Sequence, residues 1–126
     1  MNTGPTRKLT PIPSVMLVGV PEELAARCSE QLVPIPVLRV GHAAAAAERV
    51  AVTRPLVMLV GEADADDVEH LADLGRAAGC EIVRVRELGS LDEVPRRLEH
   101  IAVSCARRRS GQFVAVEVQA TGERRR

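Results

Sequence analysis

The sequence predicts an α/β fold in which helices cover both faces of a parallel sheet. Apolar runs of strand length alternate with amphipathic segments four times along the chain. The run VMLV occurs twice, at Val15–Val18 and Val57–Val60, and each copy is followed by a glycine, Gly19 or Gly61. Continuously apolar strands are typical of positions buried on both faces of a sheet. The repetition therefore predicts two central strands in similar surroundings.

The first half of the chain predicts two strands and two helices. A strand is predicted at Val15–Val20, and a helix at Pro21 and the two glutamates after it, because proline and carboxylates favour a helix N-terminus. The second strand is predicted at Val37–Val40 and the second helix at His42–Thr53. The buried stripe of the first helix, at every fourth position, is Leu24, Cys28 and Leu32.

The second half repeats this alternation. The third strand is predicted at Leu56–Val60, and the helix after it ends near Gly79, because glycine commonly terminates helices. The fourth strand is predicted at Glu81–Arg86. Ser90–Glu93 matches a capping box, which predicts that a long helix follows, and Pro95 leaves the first residue of that helix open. The predicted inward positions of that helix are Leu91, Val94, Leu98, Ile101 and Cys105.

A further strand is predicted at the C-terminal end, about residues 112–119, where Val114, Val116 and Val118 alternate with other side chains. Such a strand can pair at the edge of its own sheet or cross to a second molecule. The predicted organisation is a lead over residues 1–13, one domain over residues 14–120 and a basic tail over residues 121–126.

Composition narrows the class of protein. A chain of 126 residues that is 46% hydrophobic has the usual size of one domain, and 17 basic against 17 acidic residues give no general attraction to nucleic acid. No apolar stretch approaches the roughly 20 residues that span a bilayer. The N-terminal residues MNTGPTRKLTPIP contain no apolar region after their basic residues, so they are not expected to be a signal peptide. Cys28, Cys80 and Cys105 are irregularly spaced, which favours reduced thiols in a cytoplasm.

Glycines follow three predicted strands, at the edge where open parallel sheets bind ligands. Backbone N–H groups of Gly19, Gly41 and Gly61 could hold a phosphate there. None of the three begins a GxGxxG or P-loop motif, and Glu62 and Asp64 would repel an anion. A turn is the simpler interpretation of each glycine, and nucleotide binding remains an alternative.

Metal binding is not favoured by the candidate ligands. The acidic residues after the third strand lack the spacing and central glycine of a calcium loop, so a hydrated helix start is expected. The histidines are far apart and flank no cysteine at zinc spacing. We expect no metal and no cofactor. The candidate metal ligands are Glu62, Asp64, Asp66, Asp67, His42, His70 and His100.

The segment VLRVGHAAAAAERVAVTRPLVMLVG, Val37–Gly61, resembles the second strand, second helix and third strand of response-regulator receiver domains. The first strand with PEEL and the final segment GSLDEVPRRLEHI are also similar. The resemblance covers roughly Val15 to Arg109 and implies a three-layer, flavodoxin-like α/β domain. A receiver has another helix and strand before its last helix, so this chain is one βα unit short.

The residues that give receivers their chemistry are absent from the matching positions. Receivers hold Mg²⁺ with acidic residues after the first strand, phosphorylate an aspartate ending the third, and use a hydroxyl residue and a lysine further on. The matching positions here are Gly19, Val20 and Gly61, with Val85 or Arg86 near the hydroxyl position, and no lysine follows Lys8. Phosphoryl transfer needs oxygen ligands for the metal and a carboxylate nucleophile. The resemblance therefore implies a degenerate receiver without a phosphorylation site.

These observations lead to the hypothesis of a non-catalytic pseudo-receiver, a protein–protein interaction or oligomerisation module in cytoplasmic signalling. The resemblance implies an interface on the fourth strand and last helix, with Leu98 and Ile101. The C-terminal strand is expected to form a homodimer interface through Phe113, Val114, Val116 and Val118. Two alternatives stay open: a ligand- or nucleotide-binding regulator, and an enzyme subunit whose catalytic residues lie on another chain.

Overall fold

The structure, a computed structural model, describes the backbone of residues 13–121 and the side chains of residues 13–109. The four strands are β1 (Val15–Val18), β2 (Val37–Val40), β3 (Val57–Val60) and β4 (Glu81–Arg84). The helices are α1 (Glu22–Leu32), α2 (Ala43–Thr53), α3 (Ala65–Ala78) and α4 (Val94–Thr121), with a 3₁₀ helix at Val85–Leu88. All strand pairs are parallel, in the order β2-β1-β3-β4.

This architecture confirms the predicted fold class, a flavodoxin-like three-layer α/β arrangement that lacks one unit. Helices α1 and α4 contact each other on one face of the sheet, and α2 and α3 contact each other on the opposite face. Within the described residues, no helix is both long and apolar enough to cross a membrane.

The two VMLV strands are neighbours at the centre of the sheet, as their repetition predicted. Val15 pairs with Val57 and Val18 with Val60, and every residue of both strands is at most 1% exposed. Alternate side chains enter different cores because successive residues of a strand point to opposite faces. The α1–α4 core receives Val15, Leu17, Val57 and Leu59, and the α2–α3 core receives Met16, Val18, Met58 and Val60.

The start of α4 differs from the prediction. The helix begins at Val94, whereas Ser90–Glu93 forms a turn in which the Glu93 N–H donates to the Ser90 carbonyl at 2.9 Å. Pro95 accounts for this start, because proline is tolerated in the first helical turn but not further inside a helix. Leu91 consequently lies outside the buried stripe and is 59% exposed.

The predicted C-terminal strand is wrong, because α4 continues as a helix to Thr121 across the whole segment. A helix that is already nucleated extends at low cost, since each added residue contributes one more backbone hydrogen bond. The alternating valines did not override this continuation. Most of the predicted lead, residues 1–12, and most of the predicted tail, residues 122–126, lie outside the described residues.

Candidate functional site

The carboxyl ends of β1 and β3 lie side by side and define the candidate site. Val18 pairs with Val60, which brings the following residues, Gly19 and Gly61, next to each other. The Gly61 N–H donates to the Val18 carbonyl at 2.9 Å, and the Gly19 N–H donates to the Val40 carbonyl at 2.9 Å. Both amides therefore continue the sheet's hydrogen bonding and do not point to a ligand.

The sequence resemblance matches Gly61 to the aspartate that receivers phosphorylate, and the space for a side chain at this position is already filled. A Cβ atom on Gly61 would overlap the carbonyl oxygen of Gly19 and lie 3.1 Å from its carbonyl carbon. Gly19 has a φ of 62°, a left-handed conformation that favours glycine. The backbone φ of Gly61 is not in that region, so close packing is what requires glycine at this position.

Two other positions that the resemblance matches to receiver residues are apolar. Val20 is half-buried and packs against the α1–α4 core, and its Cα would lie 3.4 Å from a Cβ on Gly61. Val85 begins the 3₁₀ helix and also packs against the α1–α4 core. Neither side chain has an oxygen with which to coordinate a metal or bind a phosphoryl group.

The carboxylates near this edge lie at the protein surface. Asp64 is the N-cap residue of α3, and Asp66 and Asp67 lie in its first turn, where the helix dipole favours negative charge. Glu22, in the first turn of α1, forms an ion pair with Arg39 at 2.7 Å. Within the described residues, no group of three or more histidine, cysteine or acidic side chains is arranged to hold a metal ion.

Two arginines in the structure were not identified from the sequence. Arg84 ends β4; its Nη2 lies 3.5 Å from the Ala63 carbonyl, and its Nε is buried without a hydrogen-bond partner among the described residues. Arg109, on α4, donates to the carbonyls of Arg54, Pro55 and Gly79, which lie before the amino ends of β3 and β4. Sequence patterns reveal charged residues but not which distant carbonyls they reach.

The histidines are accounted for without a ligand. His42 is the N-cap residue of α2, and its Nδ1 accepts a hydrogen bond from the Ala45 N–H at 3.3 Å. His70 and His100 are exposed on α3 and α4.

The interface residues expected on α4 do not form an exposed surface. Leu98 is 0% exposed and Ile101 is partly buried, and both pack in the core between α1, α4 and the sheet. Leu98 is therefore a core residue, which corrects its assignment to an interface. Phe113, Val114, Val116 and Val118 lie on the helical backbone of α4, and their side chains are outside the described residues.

Two surface depressions lie between helices. One, of about 450 Å³, is formed between α1 and the start of α4, and its lining is charged at both signs: Arg27, Glu30, Gln31, Asp92, Pro95 and Arg96. The other, of about 240 Å³, lies between α2 and α3 and is mostly alanine: Ala47, Ala51, Arg54, Leu74, Ala77 and Ala78. Neither lining includes Gly19 or Gly61.

All cysteines are buried free thiols. Burial raises the pKa of Cys28 to about 11 and the pKa of Cys80 to about 12. The pKa of Cys105 is also raised, first by burial and then by the Glu81 carboxylate, whose Oε1 lies 3.7 Å from the thiol sulfur. These thiols are poor nucleophiles near neutral pH because the thiolate is the reactive form.

Comparisons with protein-family profiles, curated proteins and solved structures found no match to this chain.

Proposed function

We propose that this protein is a non-catalytic pseudo-receiver, a protein-interaction module that acts without phosphorylation in cytoplasmic signalling or regulation. The observation that carries the proposal is the contact between Gly61 and the carbonyl of Gly19. It leaves no room at position 61 for the side chain of the carboxylate that receiver chemistry requires. The proposal also rests on the resemblance of Val37–Gly61 to receiver domains.

The nearest carboxylates do not replace the lost aspartate. Glu62 and Asp64 are exposed and lie in the segment between β3 and α3. A phosphoryl acceptor must be in line with a bound metal and a phosphodonor, and the side chains at the adjacent receiver positions, Val20 and Val85, provide no oxygen ligand. In this proposal the domain therefore acts through its outer surfaces and not through the ends of its strands.

The free, buried thiols of the cysteines support the proposed cytoplasmic location, which is a reducing compartment. Cys28, Cys80 and Cys105 are free thiols, and each lies in a hydrophobic core and not in a disulfide. Free buried cysteines are typical of proteins kept in a cytoplasm.

Nucleotide or small-ligand binding by the strand-end glycines is less well supported. The phosphate-cradling role requires backbone N–H groups that point to the ligand. Those of Gly19 and Gly61 donate instead to Val40 and Val18. Of the three strand-end glycines, Gly41 is the one at which a Cβ would meet nothing within 4 Å, and a single glycine does not build a phosphate site.

The proposal is tested by incubating the full chain with acetyl phosphate and Mg²⁺ and recording intact mass, with a phosphorylatable receiver domain as positive control. We expect no added phosphate, and no change in the molar mass of the protein in solution. Acid-labile phosphate on Glu62 or Asp64 would contradict the proposal.

A thermal-shift screen with nucleotides, flavins and divalent metals separates the alternative. Ligand binding to the native state raises the melting temperature. We expect none of these compounds to do so. A saturable, concentration-dependent increase with a nucleotide would favour the ligand-binding regulator over the interaction module.

A further inference from the structure

The sheet has two edge strands, β2 and β4, and their outer sides differ. An edge strand presents backbone N–H and C=O groups that can pair with another chain, and folded proteins usually protect such groups. In a parallel ladder, alternate residues direct both backbone groups to the same side. The hydrogen bonds of the described residues therefore show which groups face outward on each edge.

The outer edge of β4 is nearly closed. The Glu81 N–H donates to the carbonyl of Leu56 in the segment before β3. The backbone groups of Glu81 and Val83 therefore point to β3, and those of Ile82 point away from the sheet. At either end of β4 the outward amide is already used: Cys80 donates to the Gly75 carbonyl at 2.7 Å. Arg84 donates to Glu87 Oε1 at 2.9 Å. Among the outward residues of β4, Ile82 alone keeps an N–H without a partner within the described residues.

The outer edge of β2 is open among the described residues. The Val15 N–H donates to the Pro36 carbonyl at 3.0 Å, and the Gly19 N–H donates to the Val40 carbonyl at 2.9 Å. The backbone groups of the even-numbered residues of β2 therefore point to β1. The backbone groups of Val37 and Arg39 consequently face outward. Pro36 does not prevent another strand from pairing with this edge, because its nitrogen, which carries no hydrogen, lies on the β1 side.

The side chains of β2 are also compatible with a neighbour. Arg39 would be expected to repel an approaching strand, but its guanidinium is held by Glu22 on α1 at 2.7 Å. Val37 and Leu38 are half-buried, on opposite faces, and each packs against the edge of one core. A strand added at this edge would complete the cover of both side chains.

We propose that β2 pairs with β2 of a second copy of this chain, antiparallel about a two-fold axis at Leu38. This inference rests on the proposed function and identifies the partner and the surface. In this register Val37 of each copy faces Arg39 of the other, and each such pair exchanges N–H···O=C bonds in both directions. The two Leu38 side chains become cross-strand neighbours on the α2 face.

Self-complementarity is what selects a second copy as the partner. A two-fold axis brings the same surface of both molecules together, and it requires each donor of the patch to meet an acceptor of the same patch. Val37 and Arg39 satisfy this requirement with backbone groups alone. Each Arg39 keeps its ion pair with Glu22, so no bare like charges meet.

The test uses the full chain in analytical ultracentrifugation over a concentration series. Val37→Pro removes the outward N–H without touching the β1–β2 bonds, and Val37→Ala is the matched control, because both lose the valine side chain. We expect wild type and Val37→Ala to dimerise. Val37→Pro, which loses a bond in both symmetric pairs, should bind at least about 10-fold more weakly. A monomeric wild type, or a Val37→Pro dimer of unchanged affinity, overturns the proposal.

Amide hydrogen exchange on the wild type provides a readout that does not depend on the variant folding. Protection of the Val37 and Arg39 amides should increase with protein concentration, whereas the Leu38 amide, which faces β1, should be protected throughout. Protection of Val37 and Arg39 that is independent of concentration would mean that the chain covers its own edge, and overturns the proposal. Either result leaves the phosphorylation test unaffected, so a failure here is distinguishable from a failure of the pseudo-receiver proposal.

Discussion

The carbonyl oxygen of Gly19 occupies the space that a side chain at position 61 would need. The contact joins the ends of the two VMLV strands and explains why each copy is followed by glycine. Gly19 needs glycine for its φ of 62°, and Gly61 needs glycine because the Gly19 backbone lies against its Cα. This local geometry leaves no space for a side chain at position 61.

Gly61→Ala should lower the free energy of unfolding by about 1–3 kcal/mol, because an extra methyl group in a filled site forces the backbone to shift. Gly41→Ala is the matched control: it also follows a strand, but a Cβ there meets nothing within 4 Å. Urea unfolding measures both variants. Equal stability of Gly61→Ala and the parent would show that the two strand ends are not in contact.

Leu98→Ala should reduce stability by about 2–5 kcal/mol, because it leaves a cavity between α1, α4 and the sheet. Leu91→Ala, in the turn before the same helix, removes the same atoms from a side chain that is 59% exposed and should have little effect. Chemical denaturation distinguishes the two. If Leu98→Ala instead changed the molar mass in solution with stability unaltered, Leu98 would be an interface residue after all.

The strands and the helix faces could be predicted from the sequence because they depend on local pattern. Continuous apolar runs identified β1 and β3, and the four-residue spacing identified Leu24, Cys28 and Leu32 as buried. Parallel pairing followed from the alternation of strands and helices.

Features that depend on competing local conformations, or on contacts between distant residues, could not be predicted. The alternating valines after Gly111 fit a strand, but helix continuation decided the conformation of that segment. The capping-box pattern at Ser90 fitted a helix start, but Pro95 placed the start at Val94. The contact of Gly61 with Gly19 and the carbonyl contacts of Arg109 join residues far apart in the chain, and nothing in the local pattern indicates them.

Arg109→Ala should reduce stability by about 1–3 kcal/mol, because it leaves three carbonyls without a charged donor. Those carbonyls belong to Arg54, Pro55 and Gly79, where α2 and α3 end, so the guanidinium ties α4 to both connections. Thermal or urea unfolding measures the effect.

The control for this prediction is Arg107→Ala, which removes the same charge from an exposed position on α4. Arg109→Lys should recover only part of the lost stability, since an ammonium group lacks the planar fork that reaches several acceptors at once. Full recovery by lysine would mean that charge at the helix ends matters and the geometry does not.

The buried thiols should make stability fall as pH rises above about 9. Their ordinary pKa is 9.0, and burial raises it to about 11 for Cys28 and about 12 for Cys80. Between these values the unfolded chain loses thiol protons that the folded chain retains. The unfolded state then binds fewer protons, and the free energy of unfolding decreases with pH.

This alkaline dependence can be assigned to cysteine because the chain has no tyrosine and Lys8 is its one lysine. Each thiol that stays protonated only in the folded state contributes about 1.4 kcal/mol per pH unit. Urea unfolding under reducing conditions at pH 8, 9 and 10 measures the slope. A variant with Cys28, Cys80 and Cys105 all replaced by alanine should be less stable at pH 8 but nearly independent of pH in this range. A triple variant that kept the parent's slope would show that some other group, and not the buried thiols, titrates between the two states.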